Sequence, residues 1–157
     1  MRLTACSVYL MALTAFSPAA ASAQASARGV HRGRPAAIAT LPGFEQLGDG
    51  STRLFVELTQ AVPVAEQKAR GTLTYVLKGA RVRLSNNRNP LVTVHFNTPV
   101  SRARLVPHGK DLFFVVDLRA EVTPSWKIEE RPDKRATLTI DFPKGDYLPA
   151  GDHEATD

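Results

Sequence analysis

From Arg53 onward, apolar side chains recur at every second position, the spacing of a strand with one dry face, and not at the 3.6-residue spacing of a helix. Leu54, Val56 and Leu58 alternate with Phe55, Glu57 and Thr59; Leu73, Tyr75 and Leu77 with Thr72, Thr74 and Val76; Ala80, Val82 and Leu84 with Arg81 and Arg83. Val92, Val94 and Phe96 alternate with Thr93 and His95, Ala103 and Leu105 with Arg102 and Arg104, Trp126 and Ile128 with Lys127 and Glu129. The cleanest run sets Ala136, Leu138, Ile140 and Phe142 against Thr137, Thr139 and Asp141. A half-dry strand must turn its apolar side onto another apolar side, and two sheets closing on each other achieve this for many short strands. The body is therefore predicted to be all-β, a β-sandwich of two antiparallel sheets with roughly seven to nine strands.

Asp111 to Leu118 departs from the alternation, because Phe113 and Val115 make its second face apolar as well. That run is expected to be a central strand covered on both sides. Turn chemistry separates the runs at Gly48-Asp49-Gly50, Asn86 to Pro90, His108 to Asp111 and Pro132-Asp133-Lys134. Prolines recur too often for long helices, and the one helical turn expected is Ala65 to Ala69. The body also resembles itself at an offset of about 38 to 40 residues, which pairs Tyr75 to Val82 with Val115 to Val122 and suggests duplicated hairpin units.

The N-terminus reads as an address. Arg2, an apolar stretch from Leu3 to Phe16 and small residues through Ala25 have the order of a secretory signal peptide, so residues 1–25 are expected to be removed on export. Cys6, the single cysteine, precedes the apolar stretch, whereas a lipid-carrying cysteine follows it, so lipidation is not expected. Four of the 20 basic residues, Arg2, Arg28, Arg32 and Arg34, come before Pro35, which leaves 16 against 15 acidic residues in the rest. The positive balance thus belongs to a flexible basic arm, residues 26–40, and a nearly neutral exported body is a poor nucleic-acid binder. A β domain over 41–146 and a disordered tail over 147–157 complete the expected organisation.

Catalytic motifs are missing: the sequence contains no Gly-x-Ser-x-Gly elbow, no P-loop and no His-Glu-x-x-His. His31, His95, His108 and His153 are scattered without metal-ligand spacing, and adjacent carboxylates such as Glu129 and Glu130 point to opposite faces of a strand. Neither an enzyme nor a cofactor or metal is expected. A binding surface fits better. Arg81 with Arg83 and Arg102 with Arg104 stand at i and i+2, so each pair presents two planar guanidinium forks on one strand face, suited to gripping carboxylates. Trp126 shares its phase with Ile128 and is expected in the core.

Arg53 to Val62, a strand opening on Arg followed by Ala61-Val62, and Leu112 to Arg119, a strand ending Val116-Asp117-Leu118, together resemble the AMIN domain. Ile140-Asp141-Phe142-Pro143-Lys144-Gly145 looks like a further copy of the second ending. The pattern is not uniform: Leu77 stands where Asp117 stands in the second copy, and Asn89-Pro90 opens a different strand. The resemblance covers residues 45 to 145. It implies a periplasmic β-sandwich that directs proteins to peptidoglycan, attached in its relatives to peptidoglycan amidases and pilus secretins. No such domain accompanies it in this sequence, so the expectation is an exported, non-catalytic module that binds peptidoglycan or an envelope protein complex, with no transmembrane helix. The alternative is an adaptor that docks another periplasmic protein through a sheet edge or face.

Overall fold

The computed structural model describes residues 36–148, so the expected signal peptide, most of the basic arm and the end of the tail lie outside the described residues. Ten strands follow in chain order: β1 (Ala37–Gln46), β2 (Thr52–Leu58), β3 (Val64–Ala69), β4 (Thr72–Leu77), β5 (Ala80–Val82), β6 (Leu91–Val92), β7 (Val100–His108), β8 (Asp111–Leu118), β9 (Ser125–Glu130) and β10 (Ala136–Phe142). A single 3-10 turn, Ser85–Arg88, joins β5 to β6. The first sheet runs β5-β1-β2-β10-β9 and the second β3-β4-β8-β7-β6.

The alternation does what the sequence predicts. Leu54, Val56 and Leu58 of β2 face Leu112, Phe114 and Val116 of β8 through a dry interior that also takes in Tyr75, Leu138, Ile140 and Phe142. Each large apolar side chain buried there contributes about 1.5–3 kcal/mol, and Phe114, fully buried, would cost about 3–5 kcal/mol as alanine. The first sheet is mixed and not purely antiparallel, because β5 runs parallel to β1. The strand count exceeds the expected range because β1 and β3 fall outside the alternating runs, in the stretches expected to be an arm and a helical turn.

The two halves of the chain interlock. β1 and β2 of the first half share a sheet with β9 and β10 of the second, while β7 and β8 share the other sheet with β3 and β4. The exchange pairs β2 with β10 and β8 with β4, and the sequences follow it: Thr72-Leu73-Thr74-Tyr75 corresponds to Thr137-Leu138-Thr139-Ile140, and Val56-Glu57-Leu58 to Val116-Asp117-Leu118. The exchange gives the two halves matching places in the two sheets, at an offset other than the expected one. Tyr75 to Val82 and Val115 to Val122, similar in sequence, include β4 and β8, which are neighbours in one sheet, where similar alternation reflects a shared environment.

Other expectations give way for local reasons. β1 begins at Ala37, inside the segment expected to be an arm, because small Ala37 and Ala39 fit between β2 and β5 and are buried. A bulge at Thr40 then shifts the phase so that Phe44 packs on the core. Ala65 to Ala69 is part of β3 and not a helical turn; pairing with β4 overrides the propensity of two alanines. The strand expected through Val92, Val94 and Phe96 stops at Val92. Thr93 turns inward, its hydroxyl donating to the Val100 carbonyl at 2.6 Å, and the chain bends so that Val92 and Val94 are 56% and 42% exposed. Trp126 lies on edge strand β9, partly exposed, with its ring edge-on to buried Tyr75 at 5.9 Å; it closes the rim of the sandwich and is not a core residue. β8 is central as expected, but among the described residues no layer covers its outer face: Phe113 and Val115 are half-buried, and Phe113 stacks on His108 at 4.6 Å. At the C-terminal end, the Tyr147 amide donates to Asn97 Oδ1 at 2.8 Å and its hydroxyl to the Pro143 carbonyl, which ties down the first residue assigned to the tail.

Candidate functional site

With the interior filled, the outer sheet faces are left to work with. On the first sheet the registers set the outward residues in rows. Glu45, Arg53, Asp141 and Ser125 form one row, Gly43, Phe55, Thr139 and Lys127 the next, and Glu57, Thr137 and Glu129 a third. Glu45, Arg53, Phe55, Glu57, Glu129, Arg131, Thr137 and Thr139 line an open groove of about 350 Å³. Arg53 grips Asp141 with both arms of its fork, Nε to Oδ1 at 2.6 Å and Nη2 to Oδ2 at 3.1 Å. Its pKa is held above the ordinary value, chiefly by that hydrogen bond. Arg131 lies 3.6 Å from Glu57, and Lys127 pairs with Glu129 at 2.8 Å.

Phe55 occupies the middle row. A Cβ on Gly43 would lie 2.1 Å from Phe55 Cζ and 2.6 Å from both Cε atoms, so the ring leans across the glycine along the sheet. A ring laid down in this way has one side on β1 and offers the other to solvent. Its negative π face attracts the polarised C–H edge of a sugar ring, while the carboxylates and guanidinium groups around it match hydroxyls and amides. Beneath this surface the Thr137 hydroxyl is buried without a hydrogen-bond partner.

The four arginines singled out in the sequence do not form one site. Arg102 and Arg104 lie on the outer face of the second sheet and converge on a single oxygen, Asp117 Oδ2, at 3.0 and 2.6 Å. The bulge at Ser101 seats them there, since it lets Val100 and Ala103, three apart, both face the core. Their charge is thus largely answered within the chain. Arg81 and Arg83 sit on and just after β5, an edge strand of the first sheet, both exposed and neither paired with a carboxylate among the described residues. Phe55 and Gly43 were not singled out, although an aromatic at a wet position between two charged ones, Arg53 and Glu57, is a legible signal.

Among the described residues no group of histidine, cysteine and carboxylate side chains is placed to hold a metal ion, and no helix is long and apolar enough to cross a membrane. The model of the AMIN domain family matches residues 43–144, most of the chain and nearly all of the sandwich, starting at the glycine under Phe55. No curated protein matches the chain.

Proposed function

The chain belongs to the AMIN domain family, and on that premise we propose that it is exported to the periplasm and holds peptidoglycan through the outer face of its first sheet. The family makes it a non-catalytic module that binds peptidoglycan or the envelope around it. AMIN domains are typically periplasmic, and residues 1–25, with the sequence of an export signal, support the same compartment for this one.

The observation that carries the proposal is the leaning ring of Phe55 in an open groove among carboxylates, guanidinium groups and threonines. Glycan chains are long and flat, and an open strand face accommodates them better than a closed pocket. Arg102 and Arg104 play a lesser part because Asp117 already occupies them. Docking of a protein through a sheet edge is less well supported. The edge strands β3 and β9 carry Glu66, Lys68, Lys127, Glu129 and Glu130, and β5 and β6 are too short to template a partner strand.

Co-sedimentation with purified sacculi tests this reading. The wild-type chain is expected in the pellet, and Phe55→Ala is expected to lower retention several-fold with unchanged circular dichroism. Wild-type chain left in the supernatant like an unrelated basic protein would refute peptidoglycan binding, and full retention of Phe55→Ala would refute the face.

A further inference from the structure

Beside the groove, toward β5, the first sheet carries a second hollow of different character. It holds about 410 Å³ and is lined by Ile38, Ala39, Thr40, Thr59, Arg83, Leu84 and Asn87. Its walls are apolar apart from the arginine, two threonines and an asparagine, and none of them is a carboxylate. Leu84 is 61% exposed, an unusual setting for a large aliphatic side chain next to a concave surface. Two contacts fix the frame: Asn87 Nδ2 donates to the Thr40 carbonyl at 2.6 Å, and the Ile38 amide donates to Thr59 Oγ1 at 3.0 Å.

Charge makes the hollow selective. Ala80 is buried, so alternation turns Arg81 outward beside its register partner Ile38, and Arg83 lines the hollow itself. Arg88 is exposed on the adjoining 3-10 turn. None of the three has a carboxylate partner among the described residues, whereas Arg53, Arg102, Arg104, Arg131 and Arg135 all do. Unpaired guanidinium groups beside an apolar floor leave a site that lacks two things: an anion and a small aliphatic group.

We propose that this hollow takes the stem peptide of peptidoglycan, its carboxylates on Arg81 and Arg83 and an alanine methyl on Leu84 and Ile38. This rests on the peptidoglycan-binding reading and adds to it a second contact with the peptide, next to the groove assigned to the glycan. A short peptide with two or more carboxylates and alanine side chains supplies both missing elements. The glycan backbone has methyl groups of its own, but where it carries stems its lactyl carboxyl is tied up as an amide, so the carboxylates come from the peptide.

The probe is a synthetic stem tetrapeptide (Ala, γ-linked Glu, diaminopimelate, Ala), set against the same peptide with every carboxyl amidated, each titrated into the isotope-labelled chain. The free acid is expected to move the backbone amide signals of Ile38, Arg83, Leu84 and Asn87, and the amidated form to bind at least tenfold more weakly. Arg83→Gln should lose about tenfold, while Lys134→Gln, which removes an exposed charge in the β9–β10 turn at the other edge of the first sheet, should not. Equal affinity for the two peptides, shifts confined to other residues, or no binding would overturn the proposal. Sacculus retention is measured on the same samples. Retention without a peptide response at the hollow rejects this site and leaves the broader reading standing, whereas loss of both rejects both.

Discussion

Arg53 and Asp141 close a two-pronged ion pair across the β2–β10 seam, the one place where the first and second halves of the chain share the centre of the first sheet. Both side chains are about one-third exposed, so water weakens the attraction, and the pair is worth about 1 kcal/mol and not the larger value of a buried fork. Asp141→Ala is expected to lower stability by about that amount, and Arg53→Lys to lose most of it because an ammonium cannot span both oxygens. Urea denaturation of the two single variants and the double variant checks this. A coupling energy indistinguishable from zero would mean that packing of β2 on β10 holds the seam without the charges.

Asp111 has a second kind of leverage. Its Oδ1 accepts the Gly79 amide at 2.9 Å and its Oδ2 the Lys78 ammonium at 3.0 Å, which fastens the β4–β5 turn to the start of β8. Its pKa is lowered, first by the Gly79 amide and then by Lys78. A carboxylate with a depressed folded pKa stabilises the fold above its unfolded value, near 3.8, and the contribution is lost as pH falls through the lower folded value. The wild-type urea midpoint should therefore drop as pH falls below about 4, and Asp111→Asn should flatten that part of the drop while being less stable at pH 7. Parallel profiles for the two proteins would show that the acid sensitivity resides in other carboxylates.

Much of this architecture is legible because a period of two is a burial statement as well as a local one. Leu54, Val56 and Leu58, and Leu138, Ile140 and Phe142, could satisfy their dry sides only in a closed pair of sheets, and they do. What escapes the pattern depends on contacts between distant residues. The alternation at Val92 to Phe96 fits a strand as well as any other, but the Thr93 hydroxyl finds the Val100 carbonyl and reverses which residues face in. The bulges at Thr40 and Ser101 each move a phase by one, and nothing in a single strand announces that its partner will skip a residue. The arginine pairs were recognisable as forks. Whether a fork is open to a ligand depends on Asp117, placed 13 residues from Arg104 in sequence and brought against it by the β7–β8 hairpin.

Thr137 marks a small fault in the packing. Its hydroxyl oxygen is buried with no partner, on a strand whose other residues are well satisfied. A buried hydroxyl with no hydrogen bond has lost its water without replacement, at a cost of about 1–3 kcal/mol. Valine has the same branched shape and suits a central strand, so Thr137→Val is expected to raise stability by about 1 kcal/mol. Thermal unfolding would register this as a rise of a few degrees. A destabilised Thr137→Val variant would show that the hydroxyl is hydrated in solution.

The relation between Gly43 and Phe55 allows the binding face to be tested without deleting the aromatic. Any side chain at position 43 would meet the ring at 2.1 Å, and the atoms it meets are the far end of a side chain that can swing aside. Gly43→Ala should therefore lift the ring off the sheet at little cost in stability, within about 1 kcal/mol. The ring would remain present but no longer lie flat for a sugar to stack on. Sacculus retention is expected to fall several-fold, nearly as far as in Phe55→Ala. In the wild type the Gly43 α-proton signals should lie upfield because of the ring above them, and Phe55→Ala should return them to ordinary values. If Gly43→Ala is retained like the wild type, the orientation of the ring has no part in recognition, and the charged rows on either side would have to hold the glycan alone.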